Sequence, residues 1–349
     1  MLPIRTAILS FGMSGRVFHA PFISLNPSFK LVGIWERTKS ASLEFYPNIH
    51  IYRSLDEVLD DTNIDLVVVN TPTNTHYDFA KKALLVGKHV IVEKAFTTTL
   101  SEAIELTQLA KIKNKKIAVF QNRRWDSDFK TVQQIITEGW LGNVVEAEIH
   151  FDRFKETLSP KVHKEKAGPG AGTLNDLGPH LIDQAITLFG VPDAVFADLR
   201  VTRANSEVDD YFELLLYYSD KRVRLKSGYL VREAVPSYVI HGNKGSFLKS
   251  RADVQEVALM ANQSPNTANW GEEEESQQGL LHTEKGGITI RKKIPTLKGN
   301  YGEYYDAVGK AIQNDTPMPV TGEDGINVMK IIDAAFESNH SKKVIFINK

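Results

Sequence analysis

The stretch Ile4–His19 limits what this chain can fold into more than any other. Ile4–Leu9 is a short apolar run with strand character, a small-residue turn follows, and the residues after Gly15 resume a helical pattern. Ser10, Gly12 and Gly15 stand at the offsets of the fingerprint G-x-G-x-x-G, with serine in the first glycine slot. Glycine in the second slot lets backbone approach a pyrophosphate, and glycine in the third lets the helix pack close on the strand. The first turn of that helix offers free N–H groups and a positive dipole end to an anion. A turn of this kind also occurs as plain strand-to-helix chemistry, so its meaning depends on what stands at the ends of the other strands.

Between residues 4 and 122, apolar runs alternate with helical patterns. The runs are Ile4–Leu9, Phe29–Trp35, Leu66–Asn70, His89–Val92 and Ile117–Phe120. They are nearly continuous in Val, Ile and Leu, as strands covered on both faces must be. Between them lie amphipathic segments such as Tyr77–Leu85 and Ser101–Lys111, the second with Ser101 as its expected N-cap. The alternation predicts βαβ units and a doubly wound parallel sheet, hence an α/β Rossmann domain over residues 1–122. Ligands of such sheets bind at the carboxyl ends of the strands, so the residues just after each run carry the argument.

After Trp35 come Glu36, Arg37, Thr38 and Lys39, about 20 residues beyond the fingerprint, where a dinucleotide ribose is read. Glu36 would accept hydrogen bonds from ribose hydroxyls and favour NAD, whereas Arg37 could clamp a 2′-phosphate and favour NADP. Both are present, and a solvated strand end is the plainer alternative for Lys39. After the Leu66–Asn70 run comes Thr71-Pro72-Thr73-Asn74-Thr75-His76, in which Thr75 can cap the next helix. After Val92 comes Glu93-Lys94-Ala95-Phe96, placing a lysine at a strand's carboxyl end. A lone lysine there is more often simply exposed, but burial or a cationic neighbour could tune it. Gln121-Asn122-Arg123-Arg124-Trp125-Asp126 ends the series, suited either to a polar ligand or to a salt-bridge cluster at a domain junction.

Beyond Trp125 the pattern changes. A helix is expected over Asp128–Thr137, and alternating runs follow at Glu146–Phe154, Val195–Val201, Tyr211–Tyr218, Val223–Val231 and Tyr238–Lys249. In Arg222-Val223-Arg224-Leu225-Lys226 the period of two is clean. These runs predict a second, α+β domain over residues 123–349, built on a large, mostly antiparallel open sheet. Gln263–Gly279 reads as a polar loop, Tyr301–Gln313 and Gly325–Ser338 as helices, and Lys343–Ile347 as a last strand. Within this half, a glycine-rich loop from Gly168 leads into a helix near Asp176, with Pro179 in its first turn. Asp176 and His180 are four apart, so on one helix they share a face, with Asp183 a turn further on. A carboxylate beside an imidazole can orient it and tune its proton affinity, and the same pair can equally be a buried structural one. Metal binding is a third reading, weakened by the lack of a second histidine at ligand spacing.

Composition excludes several classes. The formal net charge of the 349-residue chain is -1, which gives no broad electrostatic case for nucleic acid. There is no cysteine, hence no disulfide, thiolate metal site or thiol nucleophile. No apolar run approaches the length of a membrane span, and Arg5 interrupts anything like a secretory signal. A cytoplasmic protein is the expectation.

Glu93-Lys94, Asn70-Thr71-Pro72 with His76, and Gly172 with Asp176, His180 and Asp183 occur together in this order. That set resembles the Gfo/Idh/MocA oxidoreductase family, which includes glucose-fructose oxidoreductase and inositol dehydrogenases. Phe18-His19-Ala20-Pro21, Asn122–Asp126, Phe151-Asp152-Arg153-Phe154, Asp183–Ile186 and Gly299-Asn300-Tyr301 look closest to its NADP-linked scyllo-inositol dehydrogenases. The resemblance implies a nicotinamide-dependent dehydrogenase of a polyol, inositol or sugar, with NADP favoured and NAD the alternative. It implies Lys94, Asp176 and His180 as catalytic residues. It implies a dinucleotide held by Phe11, Gly12, Met13, Ser14, Gly15, Glu36, Arg37, Thr71, Pro72, Asn74, His76, Glu93, Lys94 and Asn122. Trp125 and Arg153 are the candidate substrate contacts, no metal is required, and a homodimer or homotetramer is expected. Two departures stand out: Ala95 replaces the family's usual proline after the lysine, and Ser10 replaces the first fingerprint glycine. A glycoside hydrolase using NAD for transient oxidation, and a non-catalytic dinucleotide sensor, are the alternative functions.

Overall fold

A computed structural model describes residues 2–159, 165–252 and 254–347. In chain order it contains β1 (Ile4–Ile8), a π-helical turn (Gly15–His19), α1 (Ala20–Leu25), β2 (Phe29–Trp35), β3 (His50–Tyr52), α2 (Leu55–Asp60), β4 (Leu66–Val69), α3 (His76–Leu85), β5 (His89–Glu93), α4 (Leu100–Ile112) and β6 (Ile117–Phe120). There follow α5 (Ser127–Thr137), β7 (Val144–His150), α6 (Thr173–Asp176), α7 (Gly178–Phe189), β8 (Ala194–Arg200), β9 (Tyr211–Tyr217), β10 (Arg222–Gly228), β11 (Tyr238–Gly242) and β12 (Gly245–Lys249). The chain ends with α8 (Val254–Met260), β13 (Gly279–Lys285), β14 (Ile288–Ile294), α9 (Gly302–Gln313), α10 (Gly322–Ser341) and β15 (Ile345–Phe346).

β1 to β6 form a parallel sheet in the order β3-β2-β1-β4-β5-β6. Chain order reverses between β1 and β4, the switch point at which such sheets bind ligands. Every residue of β4 and β6 is buried, as a strand covered on both faces requires. The sequence runs missed β3, a three-residue edge strand. α4 starts one residue before Ser101, because Thr99 is its N-cap in a capping box with Glu102.

The other strands form a nine-stranded sheet in the order β14-β13-β12-β11-β7-β10-β9-β8-β15. Only β7 and β10 pair in parallel; the remaining pairs are antiparallel. Tyr238–Lys249, expected as one run, is a hairpin, β11 and β12, and the β13–β14 hairpin turns on Gly286 and Gly287 at φ +62° and +78°. Positive φ is where glycine escapes the Cβ penalty.

The chain forms two compact units, and they are not contiguous in sequence as the expected division at residue 122 was. The first is Met1–Trp125 with Val254–Trp270 and Asn300–Ile326; the second is Asp126–Asp253, Gly271–Gly299 and Asn327–Lys349. Backbone pairing and aromatic packing recruit the two late segments. Val119 donates its N–H to the Val320 carbonyl at 3.1 Å, and Ala118 bridges Thr321, so the chain after α9 lines the β6 edge. Tyr305 of α9 stacks on Phe22 at 5.9 Å and is wholly buried. The Gln255 amide oxygen accepts from the Tyr301 N–H at 2.8 Å and the Trp270 indole at 3.2 Å.

Candidate active site

The turn after β1 shows how serine serves in the first fingerprint slot. Ser10 does not take a positive φ. Its hydroxyl oxygen instead accepts the Gly12 N–H at 3.2 Å, a side-chain-stabilised turn. The Asn70 amide, at the end of β4, donates to the Ser10 carbonyl at 2.9 Å. Gly15 fits against both: a Cβ there would lie 1.9 Å from the Ser10 oxygen and 2.9 Å from the Asn70 nitrogen. At Gly12 the only neighbour of such a Cβ is the Ser10 hydroxyl, at 3.4 Å, so the outer surface of the turn is open. Gly12 and Met13 are exposed, and the Asn70 Oδ1 is buried with no hydrogen-bond partner. An open glycine backbone with a helix packed close behind it fits a dinucleotide pyrophosphate, and the orphaned amide oxygen beside it, an acceptor, suits a hydroxyl or amide donor of the same ligand. Phe11 packs beside Phe45 and Tyr46, with ring centroids 5.8 and 6.2 Å away.

The helix expected after Gly15 begins as a π turn, with the Ala20 N–H bonded to the Gly15 carbonyl five residues back. Pro21, in the first turn of α1, has no N–H to continue a tighter ladder. The wide turn carries His19, which is fully buried.

At the end of β2, Glu36 is turned inward. One carboxylate oxygen accepts the Ser42 N–H at 3.0 Å and the Ser42 hydroxyl at 2.5 Å, and the other accepts the Ala41 N–H at 2.9 Å. It ties down the short helical turn Ala41–Glu44, a structural role beside the ribose contact expected of it. The Arg53 guanidinium braces the same loop, donating to the Glu36 carbonyl at 2.9 Å, the Lys39 carbonyl at 2.5 Å and the Ser40 hydroxyl at 2.8 Å. Arg37, Thr38 and Lys39 are exposed.

His76 also has an internal role. Its ring nitrogens lie 2.8 Å from the Ala95 carbonyl and 2.9 Å from the Thr71 carbonyl, so it joins the loops after β4 and β5. Burial pushes its pKa below the usual value. Thr75 precedes α3 but caps it with no side-chain bond; its hydroxyl donates to the Pro72 carbonyl at 2.6 Å and pairs with that of Thr71 at 2.6 Å. Pro72 and Asn74 are exposed on the rim of this loop.

β5 ends at Glu93, and Lys94 follows, half-buried, with a cis peptide to Ala95. The Glu93 carboxylate accepts the Lys94 N–H at 3.1 Å and the Ser14 hydroxyl of the glycine turn, and it faces the His19 Nε2 at 3.0 Å. Burial would raise the Glu93 pKa, but His19, Ser14 and Lys94 together hold it below the usual carboxylate value. At the end of β6, Asn122 is buried and Trp125 half-buried, its ring 5.3 Å from that of Tyr304.

In the second unit, Asp176 and His180 do not share one regular helix. Asp176 ends α6, and His180 lies in α7, because Pro179 lacks the N–H that would continue the ladder. His180 and Asp183 are buried, and Asp176 is half-buried. Asp209, which the sequence did not flag, sets the start of α6: its carboxylate accepts the Leu174 N–H at 2.7 Å and its carbonyl accepts that of Thr173 at 2.8 Å. Gly172 takes φ +91°, and a Cβ there would lie 2.0 Å from the Asp209 carboxylate. Arg153 is exposed, its guanidinium over the Phe151 ring at 5.1 Å, and its backbone pairs with Gly228 and Val231.

Burial pushes the Asp209 pKa up to about 6, against the backbone N–H groups that favour its charge. A raised folded-state value means the neutral form is favoured by folding. The associated stability is present below about pH 4 and is lost as pH rises through about 6. Asp209→Asn, which still accepts from Leu174, is therefore expected to be more stable than the parent by about 1–3 kcal/mol at pH 7.5, with the difference closing toward pH 4.5. Urea unfolding at the two pH values checks this; a constant difference would contradict it.

Among the described residues, no group of three or more His, Cys, Asp or Glu is placed to hold a metal, and no helix is long and apolar enough to cross a membrane.

The sequence profile of the oxidoreductase family's NAD-binding Rossmann fold matches residues 4–121, and that of its C-terminal alpha/beta domain matches residues 133–347. The scyllo-inositol 2-dehydrogenase (NADP(+)) IolW of Bacillus subtilis is 37% identical over 345 residues, covering 99% of this chain and 96% of the relative. The crystal structure of an oxidoreductase from Bacteroides fragilis is 46% identical, with a TM-score of 0.91 and 99% of each chain covered. The oxidoreductase yvaA of Bacillus subtilis is 36% identical, with a TM-score of 0.95 and 99% of each chain covered. With its glycine turn at the switch point of a parallel sheet and a mostly antiparallel nine-stranded sheet after it, the chain belongs to the Gfo/Idh/MocA oxidoreductase family.

Proposed function

We propose that this oxidoreductase is a dehydrogenase that transfers a hydride between NADP and a secondary alcohol of an inositol, another polyol or a sugar. The observation that carries the reading is the Glu93 carboxylate, which ties the hydroxyl of Ser14 in the glycine turn to the backbone of Lys94 at the end of β5. A dinucleotide seat and a lysine of catalytic type are thus held by one group. The nicotinamide, when bound, supplies the hydride acceptor or donor. His180 takes the proton of the reacting hydroxyl as general base, and Lys94 stabilises the charge that develops on its oxygen. Asp176 orients His180 or grips a neighbouring hydroxyl, and Trp125 and Arg153 contact substrate. Gly12, Met13, Ser14 and Gly15 hold the pyrophosphate, with Phe11, Thr71, Pro72, Asn74 and Asn122 around the rest of the dinucleotide. The similarity to a scyllo-inositol 2-dehydrogenase (NADP(+)) supports both the substrate class and the cofactor.

Purified protein is assayed by nicotinamide absorbance against a panel of inositols, other polyols and aldoses. Turnover with at least one of them is expected. Release of aglycone from a chromogenic glycoside without net cofactor change would replace this reading with a hydrolase. Dinucleotide binding with no turnover on any substrate would replace it with a sensor.

NADP is favoured over NAD because Glu36 has both carboxylate oxygens engaged inside the chain, while Arg37 and Lys39 lie exposed on a loop braced by Arg53. Arg37→Ala is expected to weaken NADP binding about tenfold or more and leave NAD binding within about twofold, since a charge-assisted bond to a phosphate is worth about 1.5–3 kcal/mol. Calorimetry with both dinucleotides checks it, and an unchanged NADP affinity would remove Arg37 from the argument. A homodimer or homotetramer belongs to the same proposal and is tested by light scattering of the purified chain.

A further inference from the structure

The candidate dinucleotide ligands leave one buried polar chain without a role. His19 has no exposed surface, and its two ring nitrogens are both engaged: Nε2 lies 3.0 Å from the Glu93 carboxylate and Nδ1 2.6 Å from the Tyr305 hydroxyl. That hydroxyl is also 3.2 Å from the Phe18 carbonyl, back on the π turn. The ring has little freedom to turn, because it lies 4.4 Å from the centroid of Phe120 and 6.4 Å, edge on, from Tyr305. Tyr305 in turn stands in α9, packed against Phe22 and Phe29.

The other end of this chain is the Glu93 carboxylate. One oxygen meets both Ser14 and His19, and the second accepts the Lys94 N–H. A buried carboxylate with too few partners either takes up a proton or pulls in water, and either change would release its grip on the groups it holds. We propose that His19 is a positioning residue that, through Glu93, couples the seating of the dinucleotide pyrophosphate on the glycine turn to the placement of Lys94. The inference rests on the dehydrogenase reading of the glycine turn and goes beyond it by assigning a role to His19 and Tyr305. It also gives a physical reason for the wide π turn: the extra residue in that turn points the imidazole inward, to the end of β5.

The test measures NADPH binding by fluorescence, without any alcohol substrate, alongside steady-state kcat and KM and circular dichroism. His19→Leu keeps bulk and loses both polar ends. It is expected to weaken NADPH binding and to lower kcat, each about tenfold or more. His19→Gln, whose amide can donate toward Glu93, is expected to restore most of both. Ser14→Ala removes the link at the turn, so with His19→Leu it is expected to be strongly non-additive in NADPH binding, as members of one network are. Wild-type NADPH affinity in folded His19→Leu, a His19→Gln variant as impaired as His19→Leu, or additive effects with Ser14→Ala would each overturn the proposal. Should His19→Leu fail to fold, Tyr305→Phe, which deletes one hydroxyl, takes its place; a smaller loss of both parameters is expected, and none would overturn the proposal. A parent protein that binds neither NADPH nor NADH would bring down the dinucleotide reading and this inference with it, whereas normal binding with an indifferent His19 would bring down the inference alone.

Discussion

Alanine at Lys94 or at His180 is expected to lower kcat by about two to four orders of magnitude, the usual cost of losing a general base or a charge-stabilising group. The two variants should differ in what they spare. His180 lies in α7, in the second unit, and no part of the glycine turn is built from it, so His180→Ala should bind NADPH as the parent does. Lys94 follows Glu93 directly, and its amide is one of the groups that Glu93 holds, but that amide survives in Lys94→Ala. Its loss should therefore fall mostly on kcat, with NADPH affinity within about threefold. Lys94→Arg keeps a positive charge on a longer, planar head and should recover only part of the activity, because a point charge and a fork are not interchangeable. Near-parental turnover by both alanine variants would sink the assignment of base and oxygen-binding cation.

Much of the first unit was legible in the sequence. β4 and β6 are apolar and buried throughout and β5 is so at its centre, as strands covered on both faces are, while β1 and β2 read as strands although Arg5, Thr6 and the exposed Lys30 interrupt their apolar runs. β3 was not legible, since three residues at a sheet edge leave no periodicity to read. β13 and β14 escaped for a related reason: β14 is an edge strand with all its residues exposed or half-exposed, so alternation gives no contrast between faces. The helix near Asp176 was legible as a helix but not as two, because Pro179 is tolerated in a first turn and gives no sign of where that turn begins.

In the site, residue type and position at strand ends singled out the glycine turn, the loop after β2 and Lys94 as candidates, and the role proposed for Lys94 came from the family resemblance. What spacing could not give was direction. Glu36 is the expected acid in the expected place, yet its carboxylate accepts from the backbone of Ala41 and Ser42, further along its own loop. His76 likewise bridges two carbonyls, from Thr71 and Ala95. Asp209 and Tyr305 act on α6 and on His19 from far along the chain, and no local pattern announces such partners.

The two glycines of the turn separate folding from binding, and they are expected to do so sharply. A Cβ at Gly15 would meet the Ser10 carbonyl at 1.9 Å, and that oxygen cannot retreat without breaking its bond to Asn70. Gly15→Ala must therefore push the helix away from the strand. Overpacking of this kind costs about 1–3 kcal/mol, and the displaced turn should no longer bind NADPH measurably. A Cβ at Gly12 meets only the Ser10 hydroxyl at 3.4 Å, an ordinary contact, and the residue is exposed. Gly12→Ala should unfold within about 0.5 kcal/mol of the parent, as surface changes usually do. Its methyl group nevertheless stands on the open side of the turn, where a pyrophosphate needs bare backbone, so NADPH affinity should fall about tenfold or more. Urea unfolding and NADPH fluorescence on the same two samples give both quantities. A Gly12→Ala variant with parental affinity would mean that no phosphate approaches that backbone. A Gly15→Ala variant with parental stability would mean that Ser10 and Asn70 yield to the new methyl, and that the first-slot serine leaves the turn looser than its bonds to Gly12 and Asn70 imply.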